Sequence, residues 1–227
     1  MRKCFLPAIC IILASVPLHA AGPPKSAPAT WMLKPGKTLV SDDLGQPFSK
    51  DWIDGKGKWQ VVDGAMRGAE LKSDEHGAVK RRPVKFGSAV IAFAFKLEGA
   101  KTISVSVNAA KGHLCRVQIT PTGFTAIRDK DKKSGEKRVV LDTCKVTIAP
   151  NEWHTMVVEI HGKELLVRMD NKHVAYGEHK ELAVAKANVG FTVAGESASF
   201  KNFVVYEATP APGWDLQKAK LLETRKK

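Results

Sequence analysis

Apolar and polar side chains alternate along most of this chain with a period of two. Ile103, Val105 and Val107 alternate with Thr102, Ser104 and Ser106, the pattern of a strand with one buried face. Cys115, Val117 and Ile119 repeat it, as do Leu165, Val167 and Met169, then Val189, Phe191 and Val193. Ala89 to Leu97 is apolar on both sides for most of its length, which predicts a central strand covered on both faces. Turn signals separate these runs. Asp63-Gly64 follows Trp59 to Val62, His161-Gly162-Lys163 joins two strong segments, and Asp170-Asn171-Lys172 joins the next pair. Roughly a dozen such segments, with no long helical period between them, predict an all-β fold built as an antiparallel two-sheet jelly-roll sandwich. Pro210-Ala211-Pro212-Gly213 then ends the sheet region, and Trp214 to Lys227 predicts a short amphipathic helix with a basic tail.

The beginning of the chain follows another rule. Arg2 and Lys3 precede an uncharged run from Cys4 to Val16, and Leu18-His19-Ala20-Ala21 offers small residues for cleavage near Ala20 or Ala21. This is the pattern of a cleavable signal peptide over residues 1–21. The apolar run falls short of the ~20 residues that span a bilayer. The expected order is therefore signal peptide at 1–21, Pro-rich linker at 22–30, sandwich domain at 31–208, and a linker with the basic helix at 209–227. The protein is expected to be exported, periplasmic or extracellular, with no transmembrane segment once the signal is removed.

Charge and cysteines extend that expectation. The formal charge of +13 becomes +11 once Arg2 and Lys3 are removed. A basic exported domain suits an acidic cell-envelope polymer or glycan, or a membrane surface, whereas lysines that only solvate sheet edges are the plainer explanation. Cys115 and Cys144 alone remain after cleavage. An isolated pair in an oxidising compartment predicts a disulfide, with two buried free thiols as the other reading.

Three stretches carry a resemblance. They are Trp59-Gln60-Val61-Val62-Asp63-Gly64 with Ala65-Met66-Arg67-Gly68; Asn151-Glu152-Trp153-His154 leading through Val157 to Ile160 and Gly162 to Asp170-Asn171; and Val189-Gly190-Phe191 with Phe200-Lys201-Asn202-Phe203. Together they resemble the concanavalin-like jelly-roll domains of secreted bacterial proteins, a glucanase-like group, in particular the keto-disaccharide hydrolase family. The resemblance spans about residues 48–207 and rests on tryptophans, turn glycines and strand ends. It implies the fold and, through the family, carbohydrate recognition. Lys201 stands where an Asp would be expected before Asn202, which weakens the case for a calcium or polar contact there.

Candidate chemistry is sparse. Glycoside hydrolysis needs two carboxylates across the scissile bond, and no Glu-x-Asp-x-x-Glu strand pattern occurs. The nearest cluster is Glu70 with Asp74-Glu75-His76. It reads as a catalytic acid/base pair or a divalent-metal site, since carboxylate and imidazole together suit Ca²⁺, zinc or manganese, or else as a solvated turn. His76, His113 and His154 with Asp74 form a second candidate set, His113 and His154 lying at strand starts. The basic run from Arg128 to Arg138 reads as a solvated hairpin loop, or as a binding site in which Lys130, Lys132 and Lys133 dock the anionic groups of an acidic glycan. Nucleic acid fits poorly, because no aromatic residues interleave the run. Trp31, Trp52 and Trp214 are the tryptophans expected to be exposed, Trp59 and Trp153 being core anchors. The expected function is an extracytoplasmic module that binds a glycan or another envelope component without catalysis. The alternative is a glycoside (keto-disaccharide) hydrolase-like enzyme using Glu70, Asp74 and His76.

Overall fold

The computed structural model describes residues 27–45, 49–129 and 135–225. The signal segment, most of the Pro-rich linker, and Lys130, Lys132 and Lys133 lie outside the described residues. The described chain forms the strands β1 (Leu33–Asp42), β2 (Ile53–Lys56), β3 (Lys58–Val62), β4 (Ala65–Ala69), β5 (Ala78–Phe86), β6 (Ala89–Ala109), β7 (Gly112–Thr120), β8 (Gly123–Arg128), β9 (Val139–Lys145), β10 (His154–His161), β11 (Glu164–Met169), β12 (His173–Glu178) and β13 (Lys186–Pro210), followed by the helix α1 (Trp214–Thr224). Every strand pairing is antiparallel. No helix among the described residues is long and apolar enough to cross a membrane.

Two strands are far longer than the rest. β6 has 21 residues and β13 has 25, and they pair with each other along almost their whole length. The first half of β6 pairs with β10 and the last part of β13 pairs with β1, which makes one layer in the order β12-β11-β10-β6-β13-β1. The second half of β6 pairs with β7 and the first part of β13 pairs with β5, which makes the other layer, β2-β5-β13-β6-β7-β8-β9. The β3–β4 hairpin joins β13 between them. The predicted sandwich is therefore two halves of one continuous sheet, folded over along β6 and β13.

The fold line is set by glycines. Gly99 and Gly195 have φ of 83° and 97°, and the β6–β13 register slips around Gly195, which lies opposite Ala100. Positive φ and β-bulges are the means by which a strand turns a corner. A polar staple secures the corner: Glu98 accepts from Arg67 Nε at 2.7 Å and Ser199 Oγ at 2.8 Å, and pairs with Lys96 at 2.7 Å. It thereby ties β4, β6 and β13 together.

Alternation fills the interior as predicted. Ile91, Phe93, Phe95, Ile103, Val105, Val107, Phe191 and Phe200 point between the layers. Ala89 to Leu97 is indeed covered on both sides, because Val90 and Ala92 join a second apolar cluster on the outer face of the first layer. Two attachments cover that face. Buried Glu159 accepts the backbone N–H of Trp31, Met32 and Leu33 at 3.0, 2.8 and 2.7 Å, and Arg168 stacks on the Trp31 ring at 4.8 Å. On the other side α1 docks through Trp214, edge-on to Tyr176, and through Lys218, which donates to Glu164 at 2.8 Å.

Several expectations are corrected. Cys115 and Cys144 are free thiols. Cys115 sits opposite Arg128 and Cys144 opposite Phe124, on the two strands flanking β8. They are two strand spacings apart and offset by four residues, roughly 16 Å in all, whereas a disulfide needs Cα atoms within about 7 Å. Burial pushes the Cys115 thiol up to about 12, helped by Asp129, so it behaves as a small apolar side chain. Trp52 and Trp214 are buried, and the exposed tryptophan is Trp153. Arg128 is buried rather than part of a solvated loop, pairing with Glu136 and Glu181.

Two expectations about stability follow. Gly195→Ala places a Cβ 2.7 Å from the Lys101 nitrogen in a conformation that disfavours L side chains, so denaturant melts should show a loss of about 1–3 kcal/mol. Burial alone would raise the Glu98 carboxyl, but Arg67, Lys96 and Ser199 together hold it at about 2. Because the folded value is depressed, this stabilisation is full above the ordinary carboxylate value near 4.5 and is lost as pH falls from there towards 2. Glu98→Gln should cost about 1–2 kcal/mol at pH 7 and narrow the difference in Tm between pH 7 and pH 3.

Candidate functional site

The outer face of the second layer is the one left uncovered by α1 and the amino-terminal segment. Its outward positions are polar because they are the alternate residues of strands whose other face fills the core. Along β6 these are Ser104, Ser106 and Asn108, and along β7 they include Arg116 and Gln118. Pairing puts them in rows across the strands. Arg81, Gly190, Ser106 and Arg116 form one row, and Val79, Thr192, Ser104 and Gln118 the next.

A groove of about 100 Å³ runs over these rows, lined by His76, Arg81, Ser106, Asn108, His113, Arg116 and Thr192 around Gly190. Ser106 and Asn108 are only 7% and 5% exposed although they face outward. Overhang by longer neighbours explains this: the Arg81 stem passes over Gly190, so that a Cβ there would meet Arg81 Cγ at 3.1 Å and the Lys80 carbonyl oxygen at 3.2 Å. Asn108 is held in place from two sides. Its Nδ2 donates to Asn188 Oδ1 at 2.7 Å, and its Oδ1 lies 2.9 Å from His113 Nδ1. The Arg116 Nε donates to both carboxylate oxygens of Asp129 at 2.8 and 2.9 Å. Among the described residues, no carboxylate lines the groove. The result is a preorganised floor of hydroxyl, amide and imidazole groups between two guanidinium groups.

The sequence candidates are distributed unevenly. His76 and His113 meet at this groove. Glu70 lies elsewhere, accepting the Gly195 N–H at 2.7 Å at the sheet corner. Asp74 closes a short 3₁₀ turn and accepts the Gly57 N–H at 2.5 Å. One of these carboxylates holds a backbone group on β13 and the other holds one at the β2–β3 junction. His154 belongs to the other layer, where its Nδ1 lies 2.7 Å from Asp170 Oδ2 and its ring packs on Phe95. Arg81, Asn108, Arg116 and Thr192 were not singled out from the sequence. The signal available was the polar half of the β6 alternation, Thr102, Ser104, Ser106 and Asn108. Among the described residues no group of three or more His, Cys, Asp or Glu side chains is assembled to hold a metal ion.

Asp74→Ala should behave as a structural change. Freeing the Gly57 N–H should cost about 1–2 kcal/mol, measurable by thermal melting, while leaving the groove residues in place.

No protein-family model matches the sequence, and no curated protein matches it. Solved structures do share its fold. Carbohydrate-binding module CBM66 from Bacillus subtilis superposes with a TM-score of 0.59 at 13% identity, covering 71% of this chain and 100% of the module. A Bacillus subtilis protein of unknown function with a galectin-like fold gives 0.60 at 11% identity, covering 79% of this chain and 100% of that one. Bacillus licheniformis β-glucanase gives 0.56 at 10% identity, covering 76% and 98%. The architecture is thus the jelly-roll sandwich shared by concanavalin-like and galectin-like domains.

Proposed function

We propose that this chain is a noncatalytic, extracytoplasmic jelly-roll module that binds a glycan in the groove on the outer face of its second layer. The observation that carries this reading is the groove lining. Hydroxyl, amide, imidazole and guanidinium groups converge from β5, β6, β7 and β13 on a glycine floor, with Asn108 fixed by two neighbours. Sugar hydroxyl groups are recognised by such preset donors and acceptors, because a buried polar group left unpaired costs far more than a paired one gains. The groove is much smaller than the ~300–1,000 Å³ that encloses a drug-sized ligand, so it would take the edge or end of a sugar chain rather than surround it. Shared architecture with a carbohydrate-binding module and a galectin-like protein supports the same reading.

The hydrolase alternative draws support from the shared fold of a β-glucanase. It has less support in the site. Two carboxylates must face each other across a bond, whereas Glu70 and Asp74 are engaged by Gly195 and Gly57. Export remains part of the proposal, resting on the signal-like residues 1–21.

Binding to a glycan array, followed by calorimetry on the best ligand, tests the reading. Gly190→Ala puts a methyl group on the groove floor and Asn108→Ala removes its central amide. Each should weaken binding at least tenfold while the fold is retained. Hydrolysis of a keto-glycoside that is lost in Asp74→Asn would establish the enzyme reading instead.

A further inference from the structure

The geometry points to an acidic sugar as the ligand of this groove, its anionic group being read by Arg81 with help from Arg116. The inference rests on the groove being the glycan site and adds the class of glycan.

Most of the other described arginines are neutralised by carboxylates, while exposed Arg138 donates to Gln118 Oε1 at 2.7 Å. Arg67 pairs with Glu98, Arg82 with Asp51, Arg116 with Asp129, Arg128 with Glu136 and Glu181, Arg168 with Glu159, and Arg225 with Asp142. Arg81 is half-buried, yet among the described residues its side chain has no ion pair and no hydrogen bond. Partial burial removes water from a guanidinium, and such groups are ordinarily matched by an anion. This one instead lines a groove in which no described residue supplies a carboxylate.

Its surroundings suit an anion from outside. Arg81 and Arg116 stand in one row at the two flanks of Gly190 and Ser106, roughly 14 Å apart at the backbone across three strand spacings. Both side chains are long enough to lean inward over these small residues. Arg116 meets Asp129 through Nε, which leaves its terminal nitrogens as donors. A guanidinium presents parallel N–H groups that match the two oxygens of a carboxylate, so bidentate pairing is its strongest and most selective contact. His76, His113, Ser106, Asn108 and Thr192 then supply partners for hydroxyl groups beside the acid. Among the described residues no exposed aromatic ring lines the groove, so stacking of the kind that favours neutral sugars contributes little there. A uronic acid residue fits this arrangement best, with a sulfated sugar offering the same charge in a different shape.

The test measures binding of pectate, alginate, hyaluronan and chondroitin sulfate oligosaccharides, each beside its carboxyl-reduced form, and chondroitin sulfate also beside its desulfated form. At least one uronate ligand should bind tenfold or more tightly than its carboxyl-reduced counterpart. Arg81→Gln should erase that difference with an unchanged Tm, and Arg116→Gln should reduce it. Lys172→Gln, on an exposed turn of the other layer, should leave it intact. Loss of preference on desulfation, with carboxyl reduction harmless, would assign sulfate as the anion and overturn the uronate assignment. An equal loss in Lys172→Gln would reduce the effect to bulk charge and overturn the inference. Equal binding of acidic and reduced forms, still abolished by Gly190→Ala, would overturn it while leaving the glycan site standing. Failure of every glycan to bind would remove both.

Discussion

The pairing of β6 with β13 is the constraint on which the molecule depends. These strands run side by side through both layers and turn the corner together at Gly99 and Gly195. Every other strand is attached to this pair, directly or through one or two intervening strands. The inward side chains of the two halves then face one another, which is how a single continuous sheet encloses a core. A bent pair of this kind needs backbone freedom at the bend and something to hold the angle. The glycines supply the first, and Glu98, gripped by Arg67, Lys96 and Ser199, supplies the second.

Once the sheet is folded over, its two outer faces have different fates. The first carries Val90, Val157, Leu166 and Tyr176, too apolar to be left in water, and is covered by Met32, Leu33 and Trp214. Polar clamps fix both covers: Glu159 with Arg168 for the amino-terminal segment, and Glu164 with Glu178 for the helix. Lys163, Lys218 and Tyr176 hold the Glu178 carboxyl down at about 2. The second outer face carries serine, asparagine, histidine and arginine, needs no cover, and has a groove across it. The asymmetry of the faces thus places the candidate site, independently of any particular ligand.

The electrostatics of the site follow from the same arrangement. Most arginines of this basic chain are paired within the fold, so net charge alone says little about the groove. The position of Arg81 over Gly190 says more. A glycine there lets the guanidinium stem lie close to the sheet, and the row of small residues towards Arg116 keeps the space between the two cations open.

The amino-acid sequence by itself determined the strand content, the turns and the burial pattern of this protein. Alternation at Ile103, Val105 and Val107 and the Asp63-Gly64 and Asp170-Asn171 turns are local properties, set by the period of a strand and by the residues that tolerate positive φ. The double-sided apolar run from Ala89 announced the central strand for the same reason. What joins to what across the sheet was decided only by tertiary structure. Cys115 and Cys144 looked paired because each sits in an alternating strand, but register sets them apart on either side of β8. Trp153 looked buried and is exposed, whereas Trp52 and Trp214 do the reverse. His76 and His113 are brought together and His154 is not, while Arg81 gains its meaning only beside Gly190, 109 positions later in the sequence. Side-chain periodicity acts over a few residues, but the partners of a folded sheet are fixed by long-range pairing, and the groove exists only where those pairings cross.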